Sequence, residues 1–309
     1  MFKLPDGLPQ VRTSAQDWAD YAEYLALINK KISFYELVKP SKLVSDEEII
    51  GGVDDDSDKF TNKADEIANE IRLRIKICGE KYPFTLADND YVLLFEPKIP
   101  ESTIIYCYLL LATRAQMGKD RVQNEIDGAL LFEKLCAIVA KNYFGERAEV
   151  DILGTSKDEE ISFRAKLKEL IKKMGEGGSI HENPGHKPQD DNVDVIVWKG
   201  FSDNQPSKVI AFGQCKTGTS WVNHITELST EGFCKNWFTR QPVVTPIRAF
   251  FTAQYFPREI FIIRANNAGL VFDRFRIIDY LPETIGDELL ANLVSWNSAI
   301  INFYSKKAG

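Results

Sequence analysis

The sequence predicts an α/β protein, in the α+β sense, with a mostly helical first part and a second part in which strands and helices follow one another. Three observations carry this. Apolar residues recur at helical spacing in several segments before Gly145. Two β-branched runs, Val193–Trp198 (VDVIVW) and Lys208–Cys215 (KVIAFGQC), flank the turn-rich Lys199–Ser207. Beyond them, helical and strand patterns alternate to Tyr304.

Taken in order, Ser14–Leu37 places Trp18, Tyr21, Tyr24, Leu25 and Ile28 at helical spacing after a Ser cap, which predicts one amphipathic helix. The acidic Gly51–Asp58 reads as a loop. A second helix is expected from about Asn62 to Cys78, with Ala64, Ile67, Ile71 and Ile75 on one face and Gly79 just past its end. Between Tyr82 and Pro100, Pro and Asp punctuate the apolar Tyr91–Phe95, and Ile104–Ala112 fits helix or strand by period. A strong helix is expected over about Val122–Tyr143, ended by Gly145, and another over about Ile161–Met174, followed by a loop, Gly175–Gln189. After the two strands come a helix near Val222–Phe238, a strand at Arg248–Thr252, a short helix at Pro257–Asn266, a strand at Leu270–Ile278 and a last helix at Glu283–Tyr304. The expected division is 1–118, mostly helical and without a chemical motif, and 119–309.

Composition bounds the function. At 44% hydrophobic and 27% charged, the 309 residues can fill a core. The net charge of −7 argues against coating nucleic acid non-specifically. That excess is local, because residues 1–150 hold 26 acidic and 19 basic side chains while the remainder holds 19 of each. The longest apolar run, Ile104–Ala112, is far short of the roughly 20 residues of a membrane span. The start MFKLPDGLPQ lacks an apolar secretory stretch. Cys78, Cys107, Cys136, Cys215 and Cys234 are scattered without a CxxC pair. A soluble, cytoplasmic protein with reduced cysteines and no membrane partner is expected.

Side chains alternate along a strand, so Asp194 shares a side with Ile196 and Trp198, and Gln214 with Lys216. An Asp within a β-branched run is costly unless it is paired or binds a metal. Asp, Gln and Lys at neighbouring strand ends suit oxygen ligands for a hard cation with one positive charge beside them. On the preceding helix, Glu133 falls within an apolar stripe of Ile126, Ala129, Leu130, Cys136, Ala137 and Ala140. Packed on the sheet, that helix would bring Glu133 near Asp194.

The pieces LFEKL (Leu131–Leu135), DDNVDVIVW (Asp190–Trp198) and AFGQCK (Ala211–Lys216), with the later AFFTAQYF and NNAGLVFDRFRIIDYL, resemble the catalytic core of Mrr-type restriction endonucleases in the PD-(D/E)XK nuclease superfamily. The resemblance covers roughly Val122–Leu281. It implies a restriction-endonuclease-like core, a central mixed sheet flanked by helices, behind the helical first part. It also implies phosphodiester hydrolysis by a water bound to Mg²⁺, with Mn²⁺ as substitute. Asp194, the Gln214 oxygen and the Cys215 carbonyl would ligate the metal, and Lys216 would orient the water and offset transition-state charge. DNA is the implied target and RNA the alternative, in a restriction or antiviral defence role that leaves room for a companion protein subunit. Two departures stand out: the long segment between Glu133 and Asp194, and Gln214 in place of an acid.

Other readings of the same residues stay open. Gln214 and Lys216 also fit the solvent face of an edge strand, Asp194 a turn acid, and Glu133 an ordinary boundary residue. His181 and His186, with Glu182 and Cys215, lack a second pair at zinc spacing and read as a solvated loop. Lys235, Arg240 and Arg248 fit phosphate contacts, but scattered basic residues read more simply as surface charge. A nucleic-acid-binding or regulatory subunit without turnover is the rival to the nuclease, and the intact Asp194, Gln214 and Lys216 set stands against it. Gln214→Glu is expected to keep or strengthen metal binding, because a carboxylate is the better ligand for a hard cation, and Gln214→Ala to weaken it less than Asp194→Ala does. Calorimetric metal titration of the three variants checks this ranking.

Overall fold

The computed structural model describes residues 3, 4, 9, 13–39, 53–153, 159–182 and 192–307. They divide into two compact units, Met1–Asn124 with Leu293–Gly309, and Glu125–Asn292. Relative to the expected division, residues 119–124 and 293–309 group with the first unit.

In the first unit α1 (Ala15–Asn29) starts on Ser14, whose hydroxyl accepts from the Asp17 amide at 3.2 Å. The helix expected to reach Leu37 stops at Lys30, which takes a left-handed backbone at φ 71°. Lys31–Ser33 then form strand β1 and Phe34–Leu37 a short α2. Helix α3 spans Val53–Cys78, so the acidic stretch read as a loop is helical from Val53 on, in keeping with the preference for Asp near a helix start. Gly51 and Gly52 lie outside the described residues. Strands β2 (Phe84–Ala87) and β3 (Val92–Phe95) pair antiparallel, and β1 joins the other edge of β3. The ambiguous run at Ile104–Ala112 is helix, part of α4 (Pro100–Arg114), which opens on a Pro where no amide donor is needed. Helix α5 (Met117–Asp120) and β4 (Val122–Gln123) follow.

A buried ion cluster ties α1, α3 and α4 together. The Arg74 guanidinium, fully buried, reaches Asp20 at 2.6 Å, Glu23 at 2.8 Å and Glu70 at 2.9 Å. Arg114, equally buried, pairs with Asp17 and Asp20. The hydroxyls of Tyr82 and Tyr106 donate to Glu23.

The second unit begins with β5 (Ile126–Asp127) and α6 (Gly128–Phe144). The helix expected from Val122 starts only at Gly128, because Asp127 caps it by accepting from the Ala129 amide at 2.8 Å. Its buried stripe is Leu131, Phe132, Leu135, Cys136, Val139 and Ala140, while Leu130 is 42% exposed. Glu133 therefore stands at the border of the stripe, not in its middle. The remaining elements are β6 (Ala148–Ile152), α7 (Glu159–Met174), β7 (Val195–Lys199), β8 (Val209–Lys216), α8 (Thr230–Trp237), β9 (Ile247–Thr252), α9 (Phe261–Ala268), β10 (Leu270–Phe272), α10 (Arg274–Asp279) and α11 (Asp287–Lys307). From Leu293 onward α11 belongs to the first unit, where Trp296 donates to the Arg121 carbonyl.

These strands form one mixed sheet in the order β10-β9-β8-β7-β6. Strands β6, β7 and β8 run antiparallel in turn, whereas β8, β9 and β10 are parallel. Helix α6 packs against β6, β7 and β8. On one face Ile196, Trp198, Ile210 and Phe212 meet Leu167 and Leu170 of α7 and Phe233 and Trp237 of α8. Strand β7 is buried along Val195–Trp198, as a strand covered on both faces must be.

Three departures from the sequence reading have local causes. Strand β6 is a short edge strand that alternates charge with apolar residues, and its Asp151 pairs with Lys173 at 2.9 Å. The helix expected over Val222–Phe238 is a 3₁₀ turn, Thr219–His224, then α8 after a bend, because the Ser229 hydroxyl caps α8 by accepting from the Gly232 amide. The strand expected over Leu270–Ile278 stops at Phe272, where Asp273 accepts from the Arg276 amide and starts α10. Gly269, at φ +80°, makes the turn into β10, and a Cβ there would lie 2.4 Å from the Arg248 carbonyl oxygen.

Arg74→Met should destabilise the first unit by about 3–5 kcal/mol, because it strands buried carboxylates without their cation. Urea titration followed by circular dichroism measures this; a loss under about 1 kcal/mol would mean that the cluster rearranges freely.

Candidate active site at the ends of β7 and β8

The antiparallel register sets Val195 opposite Gly213, so Asp194, one residue before β7, falls opposite Gln214 on β8. Both main chains are tied there, the Asp194 amide donating to the Gly213 carbonyl at 2.9 Å and the Leu153 amide to the Asp194 carbonyl at 2.8 Å. The Asp194 carboxylate accepts from the Cys215 amide at 2.6 Å. A strand residue's N–H and C=O project toward the same neighbour, so the Cys215 carbonyl is on the Asp194 side of β8. Burial raises the Asp194 pKa to about 6, against the opposing pull of the Cys215 amide and the Lys216 charge.

Gln214 is fully buried. Its Nε2 donates to Glu227 Oε2 at 3.1 Å, while its Oε1 has no hydrogen-bond partner among the described residues. Lys216 Nζ lies 3.9 Å from the same Glu227 oxygen. The other Glu227 oxygen meets His224 Nδ1 at 2.6 Å. Burial would raise the Glu227 carboxyl, but hydrogen bonds from His224 and Gln214 and the nearby positive charges hold it below the usual carboxylate range.

Glu227 and His224 were not singled out in the sequence. His224 ends the 3₁₀ turn and Glu227 sits in the bend between it and α8, and the signal for that bend was Ser229, a capping residue just ahead of the apolar Phe233 and Trp237. The turn is anchored by Trp221, which stacks on Phe256 and donates to Gln254 Oε1 at 2.8 Å.

On the α6 side the Cys215 thiol is hydrogen bonded with that of Cys136. Burial raises both thiols, and the charges of Asp194 and Glu133 raise them further. The Cys215 side chain turns to the α6 side, so oxygen atoms are the donors on the Asp194 side. The His181 amide donates to the Trp237 carbonyl, and Arg164 donates to the carbonyls of His181 and Glu182; His186 lies outside the described residues. Lys235 and Arg240 are exposed, and Arg248 stands opposite Phe212, four residues along β8 from Lys216.

The donor set fits a hard cation. An amide oxygen buried without a donor costs about 1–3 kcal/mol, which a cation at Gln214 Oε1 would recover. Among the described residues no group of three or more His, Cys, Asp and Glu side chains could hold a metal ion; the set here is one carboxylate, one amide oxygen and one main-chain carbonyl. A cleft of about 530 Å³ between Lys134, Ile138, Asp151 and Leu289 is lined by none of these residues. No helix among the described residues is long and apolar enough to cross a membrane. Comparison with family models, curated proteins and solved structures found no match.

Because the folded Asp194 holds its proton up to about pH 6 and the unfolded residue only to its ordinary value of 3.8, its contribution is fully present below pH 3.8 and is lost as pH rises through 6. Asp194→Asn removes that loss. The stability difference, variant minus wild type, should grow between about pH 4 and 6 and then level off, as thermal melts across that range would record.

Proposed function

We propose that the chain is a metal-dependent phosphodiester hydrolase acting on DNA, with its active site at Asp194, Gln214 and Lys216. The observation that carries this reading is the buried Gln214 oxygen, without a hydrogen-bond partner among the described residues, opposite the partly buried Asp194 carboxylate, with the Lys216 ammonium 3.9 Å from the Glu227 oxygen that receives Gln214. The element order of the second unit also supports it: α6 bearing Glu133, Asp194 just ahead of β7, an antiparallel β8 ending in Gln214-Cys215-Lys216, then α8 and β9. That is the order of the restriction-endonuclease-like core which the sequence resembles, with α7 inserted ahead of β7.

Asp194, Gln214 Oε1 and the Cys215 carbonyl would hold Mg²⁺, and Glu133, whose charge is felt at the Cys136 and Cys215 thiols, would tune it. When bound, the ion neutralises charge on the scissile phosphate and acidifies the attacking water. The chain's own contribution is positional. Asp194 is fixed by the Cys215 amide, so its carboxylate is oriented before any ligand arrives. Lys216 brings a positive charge that holds a water for attack and offsets the charge growing on the phosphate. Its loose contact with Glu227, at 3.9 Å, leaves the ammonium free to turn to a substrate.

The test is incubation of supercoiled and linear DNA with Mg²⁺ or Mn²⁺, with and without EDTA. Lys216→Ala should lower the cleavage rate by a factor on the order of 10² to 10³ while leaving the thermal melt in place, since Lys216 is a half-exposed side chain. Undiminished nicking by a folded Lys216→Ala protein sinks the assignment.

A further inference from the structure

The metal-site reading leaves unexplained why an amide at position 214 should present its oxygen, and not its nitrogen, to a cation. The two ends of a Gln side chain have nearly the same shape, so only their partners decide which way it points. A carboxylate accepts hydrogen bonds and cannot donate them. With Glu227 Oε2 at 3.1 Å, the end of Gln214 facing it must be the NH₂ group, and Oε1 is thereby turned away into the buried position where it has no partner among the described residues.

Glu227 is itself held. His224 Nδ1 lies 2.6 Å from its Oε1, Lys216 Nζ approaches the Oε2 that receives Gln214, and the Glu227 amide donates to the His224 carbonyl. These contacts hold both carboxylate oxygens in place as acceptors. We propose that Glu227 is a positioning residue that fixes the end of Gln214 offered to the cation, so that a neutral amide serves where a carboxylate would need no orienting. This rests on the metal-site reading of Asp194 and Gln214, and it adds a residue to that site.

The idea separates orientation from charge. A carboxylate at 214 has two equivalent oxygens and no wrong end, so Glu227 should matter only while residue 214 is Gln. Mn²⁺ titration by calorimetry would use the wild type, Glu227→Ala, Gln214→Glu and the double variant, with circular dichroism to confirm folding; Glu227 is partly exposed, so its truncation leaves no cavity. Glu227→Ala should weaken Mn²⁺ binding about tenfold or more in the wild-type background, as loss of an outer-shell partner does. In the Gln214→Glu background the same change should stay within about twofold, so that the two substitutions are strongly non-additive.

Equal losses in both backgrounds would mean that Glu227 acts through its charge or as a ligand, and would overturn the proposal. No loss in either background would overturn it as well. If the wild-type chain binds no Mn²⁺, both this proposal and the reading beneath it fail. If the expected Mn²⁺ pattern appears but no DNA is cut, only the nuclease reading fails.

Discussion

The hydrogen bond from the Cys215 amide to the Asp194 carboxylate is the constraint around which the second unit is arranged. It joins the first residue before β7 to the last residues of β8, and so converts an ordinary antiparallel pairing into a fixed corner. A carboxylate in this position is expensive to ionise, which is why its pKa rises toward neutrality. The surrounding groups that lower that cost are few: one amide and one ammonium. A fold that keeps such a group retains local strain in its electrostatics, and active sites are where that is commonly tolerated.

The first unit handles buried charge in a different way. Its carboxylates face two guanidiniums, with two tyrosine hydroxyls turned to Glu23, so nearly every acid there has a cation at contact distance. Such a cluster fixes the mutual orientation of three helices more than it stabilises them, since desolvation consumes most of the attraction. The contrast helps to locate chemistry. Paired charge marks architecture in the first unit, while in the second an acid offset by one amide and one ammonium stands opposite an amide oxygen that has no hydrogen-bond partner among the described residues.

Much of the second unit was legible in the sequence because β7 is strongly β-branched, β8 opens on an apolar run (VIAF) and their turn is polar. The period of two then put Asp194 and Gln214 on matching faces. What was not legible had two causes. Short edge strands such as β6 carry charge on alternate residues and resemble loops. Breaks made by a single side chain, Asp127, Ser229 or Asp273, are invisible to periodicity, which averages over a turn or more. The second cause hid His224 and Glu227, because a continuous helix over Val222–Phe238 would have carried both away along its axis. The long segment between Glu133 and Asp194 is accounted for in part by β6 and α7, which lie within it.

Residue 215 shows how a short pattern comes to have an open letter. Its main chain serves one neighbour, giving the amide to Asp194, while its side chain belongs to the opposite layer and meets Cys136 on α6. The outer letters, Gln214 and Lys216, face Glu227 on one side of the sheet; the middle one answers to how closely a helix approaches the other side. The room at that position is therefore set by the facing residue of α6, and a bulkier side chain at 215 would have to push the helix off the sheet before it touched the strand end.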